Sequence, residues 1–129
     1  MRVIIQPTAE KAGEWTAAYL CRKVRKFNAT EQKPFVLGLP TGSSPIPTYK
    51  RLVEHYKQGR LSFSNIVSFN MDEYVGLPEE HPESYHSFMF NNLFSHVDGR
   101  REHINILNGN ATDLDAECAA YEEKIKRYG

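Results

Sequence analysis

The chain has 129 residues, enough for one domain with a real hydrophobic core and not comfortably for two. Sixteen Lys and Arg balance sixteen Asp and Glu, so no field of one sign covers the surface, which argues against nucleic acid or an acidic membrane recognised by bulk charge. Charged residues at 25% and hydrophobic ones at 40% are the proportions of a soluble globular protein rather than a disordered one, and no apolar run is long enough to span a bilayer.

In chain order, Met1-Arg2-Val3-Ile4-Ile5 lacks the long apolar stretch and small-residue cleavage site of a secretory signal, and reads as the first strand of a cytoplasmic domain. Gly13, Ala17, Leu20, Val24 and Phe27 then recur at steps of four and three, which is one face of a helix that Thr8 would cap. Phe35-Val36-Leu37-Gly38-Leu39 is a second strand. A second helix carries Ile46, Tyr49, Leu52, Val53 and Tyr56 on one side, with Pro45 at its first position and Gly59 at its left-handed stop. Ile66-Val67-Ser68-Phe69 is a third strand, and the helix after it begins near Ser84 and buries Tyr85, Phe88, Met89 and Leu93. Ile104-Asn105-Ile106-Leu107 is a fourth strand. The last helix shows Leu114, Cys118, Tyr121, Ile125 and Tyr128 on one face after a cap at Thr112 or Asp113, and it ends at Gly129. Cys21 and Cys118, far apart in helical segments, make neither a disulfide framework nor a metal knot and read as reduced, packed thiols.

Four βα units in succession predict an α/β fold: a mostly parallel, Rossmann-like sheet with right-handed crossovers and helices on both faces. A helix of this kind normally hands over to another strand, so the expectation is an α/β pattern truncated after the fourth unit. In such sheets ligands collect beyond the carboxyl ends of the strands.

Two strand ends carry candidate chemistry. After Leu39 the chain runs Pro40-Thr41-Gly42-Ser43-Ser44-Pro45 into a helix, and a helix N-terminus offers unpartnered N–H groups and a positive dipole end to an anion. Gly42 lets a phosphate approach the backbone, and the Thr41, Ser43 and Ser44 hydroxyls add donors. An ordinary Ser-capped helix after a turn reads equally well. The Walker lysine and the dinucleotide glycine pattern are both missing, which makes ATP and NAD poor candidates. After Phe69 comes Asn70-Met71-Asp72-Glu73-Tyr74, two carboxylates at the mouth of the presumed pocket. One of them could abstract a proton from a carbon next to a carbonyl; alternatively both cap the following loop. Alternation lets at most one of Asp72 and Glu73 face a ligand. Tyr74 and Tyr85 could reach a sugar, although core packing of both rings is the safer reading. His81 and His86 read as surface or loop residues, because no H-E-x-x-H or Cys/His spacing supports a metal site.

The strings Leu37-Gly38-Leu39-Pro40-Thr41-Gly42-Ser43-Ser44-Pro45, Phe69-Asn70-Met71-Asp72-Glu73-Tyr74-Val75-Gly76-Leu77-Pro78 and His81-Pro82-Glu83-Ser84-Tyr85 closely resemble the glucosamine-6-phosphate deaminase family. The resemblance covers essentially the whole chain, through Asn108-Gly109-Asn110-Ala111 to the last helix. It is nearer to these enzymes than to the related sugar-phosphate lactonases, which share the fold and the phosphate loop but not the run from Asn70 to Pro78. It implies conversion of glucosamine 6-phosphate and water to fructose 6-phosphate and ammonia, by isomerisation coupled to deamination, with no cofactor. It also implies that Asp72 takes the C2 proton of the open-chain sugar, that Thr41, Gly42, Ser43 and Ser44 hold the phosphate, and that the intact enzyme is a homo-oligomer. In the family, an Asp, a His and a Glu beyond the last helix open the sugar ring, and later basic residues close on the phosphate. The chain stops before them, so the isolated polypeptide is expected to have negligible activity. The competing expectation is a non-catalytic subunit or sugar-phosphate-binding fragment that associates with full-length enzyme through an open sheet edge.

Overall fold

The computed structural model describes residues 3–128. Three strands, β1 (Phe35–Leu39), β2 (Ile66–Asn70) and β3 (Ile104–Asn105), form one parallel sheet in the order β1-β2-β3. Four helices accompany them: α1 (Ala9–Phe27), α2 (Ile46–Lys57), α3 (Tyr85–Asn92) and α4 (Leu114–Tyr128). Two short 3₁₀ turns, Phe94–His96 and Arg101–His103, lie between α3 and β3.

Local chemistry sets the helix starts. The Thr8 hydroxyl accepts from the Lys11 amide at 3.1 Å, the Ser84 hydroxyl from the Ser87 amide at 2.9 Å, and the Asp113 carboxylate from the Ala116 amide at 2.9 Å. Each satisfies a donor that the first helical turn leaves orphaned. Gly59 has the expected positive φ, +69°, after α2. Pro45 lies one residue earlier than predicted, as the N-cap of α2, and Pro47 follows inside the first turn.

The main core lies on one face of the sheet. There Ala17 and Cys21 of α1, Tyr49 and Leu52 of α2, and Met89 of α3 pack against Leu39 and Ile66. On the other face Tyr121 of α4 packs on Val67 and Phe69, its ring 5.6 Å from that of Phe69 and nearly perpendicular to it. Helices therefore cover both faces of a parallel sheet, as the element rhythm predicts. Every residue of β2 is buried, as befits a central strand. At the α1–α2 crossing, a Cβ on Gly13 would come within 2.6 Å of the Pro47 side chain, so the small residue permits the close approach of the two helices.

Four expectations need correction. Residues 3–5 form no strand: Val3 and Ile5 are 67% and 89% exposed, because an extended segment becomes a strand only beside a neighbour, and among the described residues none pairs with it. Met1, Arg2 and the helix end at Gly129 lie outside the described residues. The strand predicted over residues 104–107 shortens to Ile104–Asn105, paired with Ser68 and Phe69, before the chain turns away. The α4 stripe is buried only at Tyr121, with Ile125 half-buried; Leu114, Cys118 and Tyr128 are exposed, because so narrow a sheet face offers them little to cover. Cys118 is accordingly a free exposed thiol, while Cys21 is free and buried.

Candidate active site

The register pairs Leu39 with Asn70, so the turns after β1 and β2 leave the sheet side by side, at strands spaced about 4.8 Å apart. Residues 41–44 and Asp72 therefore share one edge of the molecule. Asn70, 1% exposed, ties the two strand ends together: its Nδ2 donates to the Leu39 carbonyl at 2.9 Å. The Tyr49 hydroxyl of α2 reaches back to donate to the Pro40 carbonyl. The Tyr121 hydroxyl of α4 lies 2.7 Å from the Asn70 carbonyl and 2.9 Å from that of Asn105. Burial pushes the Tyr49 phenol far above its ordinary range and the Tyr121 phenol up to about 12, so both stay protonated donors. None of these three anchors was singled out from the sequence as a site residue. Asn70 carried the one available signal, an amide closing a strand whose only other polar residue is Ser68.

In the first turn, Gly42 has φ +92°, a conformation that favours glycine, and no atom lies within 4 Å of the space its Cβ would fill. Gly42, Ser43 and Ser44 are exposed and Thr41 is half-buried. The donors differ from the predicted helix terminus. The Ile46 amide donates to the Ser43 carbonyl at 3.3 Å, and Pro45 and Pro47 have no N–H. The free donors thus precede the helix: among the described residues, no hydrogen bond engages the amides of Gly42, Ser43 and Ser44 or the hydroxyls of Thr41, Ser43 and Ser44.

In the second turn the two carboxylates part company. Asp72 is exposed, and among the described residues no hydrogen bond or ion pair engages it. Glu73 turns to α3: one carboxylate oxygen accepts from the Tyr74 and Tyr85 amides at 2.8 and 2.9 Å, the other from the His86 amide at 2.8 Å. The capping alternative thus describes Glu73 but not Asp72. Tyr74 and Tyr85 do not enter the core as the safer reading had it. Tyr74 is 50% exposed, and the two rings pack on one another with centroids 4.7 Å apart, the Tyr85 hydroxyl donating to that of Tyr74 at 3.3 Å. Pairing with the Tyr85 phenol, since the two cannot both ionise without repulsion, then burial, and last the Asp72 and Glu83 carboxylates hold the Tyr74 phenol above its usual range.

The turn after β3 buttresses this loop. Gly76 donates to the Gly109 carbonyl at 2.9 Å, and the Asn110 side chain to the Leu77 carbonyl at 2.7 Å. The imidazole of His81 accepts from the Glu83 amide, whereas His86 contacts Glu79 and Phe90. Among the described residues no group of three or more His, Cys, Asp and Glu is placed to hold a metal ion, and no helix is long and apolar enough to cross a membrane.

The adjacent ends of this parallel sheet thus present a hydroxyl-rich glycine turn and an unengaged carboxylate, and the comparisons supply the family. Residues 7–129 match the family described as glucosamine-6-phosphate isomerases/6-phosphogluconolactonase, and the chain belongs to that family. It is 63% identical over all 129 residues to the glucosamine-6-phosphate deaminase of Bacteroides thetaiotaomicron, covering 48% of that protein. It is 62% identical to that of Aeromonas hydrophila and 57% to that of Borreliella afzelii, again over the whole chain and 48% of each relative. The chain thus spans about half the length of the curated relatives it matches. Among solved structures, a monomeric glucosamine-6-phosphate deaminase superposes with a TM-score of 0.89 at 36% identity, over 98% of this chain and 51% of that one. The 6-phosphogluconolactonase of Plasmodium vivax, with a TM-score of 0.70 at 24% identity over 92% of this chain and 40% of that one, shares the fold.

Proposed function

We propose that this chain supplies the proton acceptor and the phosphate cradle of a glucosamine-6-phosphate deaminase, which converts glucosamine 6-phosphate and water to fructose 6-phosphate and ammonia. The observation that supports the reading is the Leu39–Asn70 register, which aligns the ends of β1 and β2 from which the turn of residues 41–44 and the Asp72 loop depart. The phosphate rests on the free amides and hydroxyls of that turn. Asp72 takes the C2 proton of the open-chain sugar, leaving an enolamine; reprotonation at C1 gives a C2 imine that water hydrolyses to the ketone and ammonia. Fixing the phosphate at one end holds C2 over the carboxylate, so orientation supplies much of the rate. The partner is this small amino-sugar phosphate, the setting the cytoplasm, and the working assembly a homo-oligomer. No cofactor enters the chemistry.

Ammonia release from glucosamine 6-phosphate tests the reading, measured on this chain and on one extended past Gly129 to the length of its relatives. The extended chain is expected to be active and to lose about 10²- to 10⁴-fold in kcat on Asp72→Asn, the range typical of a general base, with its fold intact. The 129-residue chain, without the ring-opening residues the family resemblance implies, is expected to be inactive or nearly so. Activity in the extended chain that survives Asp72→Asn removes the base.

A second reading, association with a full-length copy, is favoured by Val36. It stands 40% exposed on β1 beside a groove of about 530 Å³ that Gly38, Phe69, Leu107 and Ile125 also line. Mixing the two chains and finding neither co-migration nor altered activity dismisses it.

A further inference from the structure

The loop over residues 71–84 carries Asp72 from β2 to α3 without regular hydrogen bonding, and it is fastened to α3 at His86. The His86 amide donates to a Glu73 carboxylate oxygen at 2.8 Å, and its imidazole Nε2 lies 2.7 Å from Glu79 Oε1. Glu73 adjoins Asp72 in the chain. Segment 73–79 is thereby closed into a ring, with its two ends gripped by the main chain and the side chain of one residue. The imidazole cannot swing freely: it stacks on Phe90 with centroids 4.4 Å apart and planes 26° apart, and its side chain is 22% exposed. Glu79 is held again through its carbonyl, which accepts from the Ser84 and Ser87 hydroxyls at 2.6 and 3.1 Å.

The charged groups facing this imidazole are few. The loop contributes Glu79 and, at the backbone, Glu73. The second 3₁₀ turn contributes Arg101, 3.9 Å from the same Glu79 oxygen and with its guanidinium 5.6 Å from the Phe90 ring centre. From the β3 side, Ile104 and Ile106 line the same cavity and bring no charge.

We propose that His86 is a positioning residue whose protonation tightens the loop presenting Asp72. A protonated imidazole gives Glu79 a charge-assisted hydrogen bond; a neutral one gives a weaker bond or, in its other tautomer, none. The functional meaning of the clasp rests on the reading of Asp72 as proton acceptor, but its existence does not. Amide hydrogen exchange followed by NMR on the full 129-residue chain separates the two questions.

The amides of Tyr74 and Gly76 are compared with those of α1 at about pH 5.5 and about pH 8, which bracket the span in which imidazoles change charge, after correction for intrinsic exchange. In the unaltered chain the relative protection is expected to be about three- to tenfold greater at the lower pH, a partly exposed charge-assisted bond being worth no more. In His86→Phe, which keeps the stack on Phe90, and in Glu79→Gln the protection is expected to be flat with pH. Protection independent of pH in the unaltered chain, or a pH dependence that survives both substitutions, overturns the proposal. Glu79 is 59% exposed, so Glu79→Gln reports even if His86→Phe does not fold. The Asp72 reading is judged separately by ammonia release, so either idea can fail without the other.

Discussion

Gly109→Ala places a methyl group where the structure has backbone. A Cβ there would sit 1.9 Å from the Tyr74 carbonyl oxygen and 2.8 Å from its carbon, whereas real Cβ contacts almost never fall below 3.0 Å. Gly109 is buried, and both clashing atoms are main chain, so no rotamer relieves the contact. The turn after β3 and the loop bearing Asp72 must separate by at least about 1.1 Å, a displacement of the overpacking kind. That stretches the Gly76–Gly109 hydrogen bond, 2.9 Å long, and the Asn110–Leu77 bond, 2.7 Å long. Overpacking at about 1–3 kcal/mol and roughly 1 kcal/mol for a lost hydrogen bond put the cost at about 2–4 kcal/mol. For a chain of this length that lowers Tm by about 8–15 °C. Thermal unfolding followed by circular dichroism measures it, with Gly38→Ala as the control, because nothing lies within 4 Å of a Cβ at Gly38. A Gly109→Ala protein that melts within about 2 °C of the unaltered chain would refute the reasoning, since the two loops would then be free to part at no cost.

Three further outcomes are expected. Gly42→Ala meets no steric obstacle, yet its φ of +92° makes the substitution cost about 1–2 kcal/mol in urea unfolding; an unchanged midpoint would show that the turn relaxes readily. Asn70→Ala removes the donor to the Leu39 carbonyl and is expected to cost about 1–3 kcal/mol by the same measurement, because the abandoned carbonyl stays buried. The Tyr121 phenol, raised by burial from 10.0 to about 12, contributes stability that is complete below pH 10 and lost as pH rises through about 12. Urea midpoints should therefore fall across that window, and fall less in Tyr121→Phe, while Tyr49, raised for the same reason, keeps part of the slope; parallel pH profiles would exclude Tyr121 as a source.

Much of the framework is legible without coordinates, because it depends on neighbours in the chain. Thr8, Ser84 and Asp113 cap their helices with an oxygen a few residues from the amide it serves, and the runs at Phe35 and Ile66 are strands flanked by turn residues. The strand–turn–helix after Leu39 and the acidic strand end after Phe69 are local in the same sense, which is why residues 41–44 and Asp72 stand out.

What depends on residues distant in sequence was decided by packing. Residues 3–5 have strand composition, but a ladder needs a second strand, and composition cannot supply one. Asp72 and Glu73 are indistinguishable as adjacent letters; they separate because α3 returns its first amides to Glu73, 12 and 13 residues on. The tyrosine pair, the Gly109 buttress and the clasp at His86 arise in the same way, from loops that meet only after the sheet has set its register. Local patterning thus specified the elements and the candidate chemistry. Which carboxylate stays open to a ligand was settled by long-range hydrogen bonds, because a buried or helix-terminal donor takes whichever acceptor the fold brings to it.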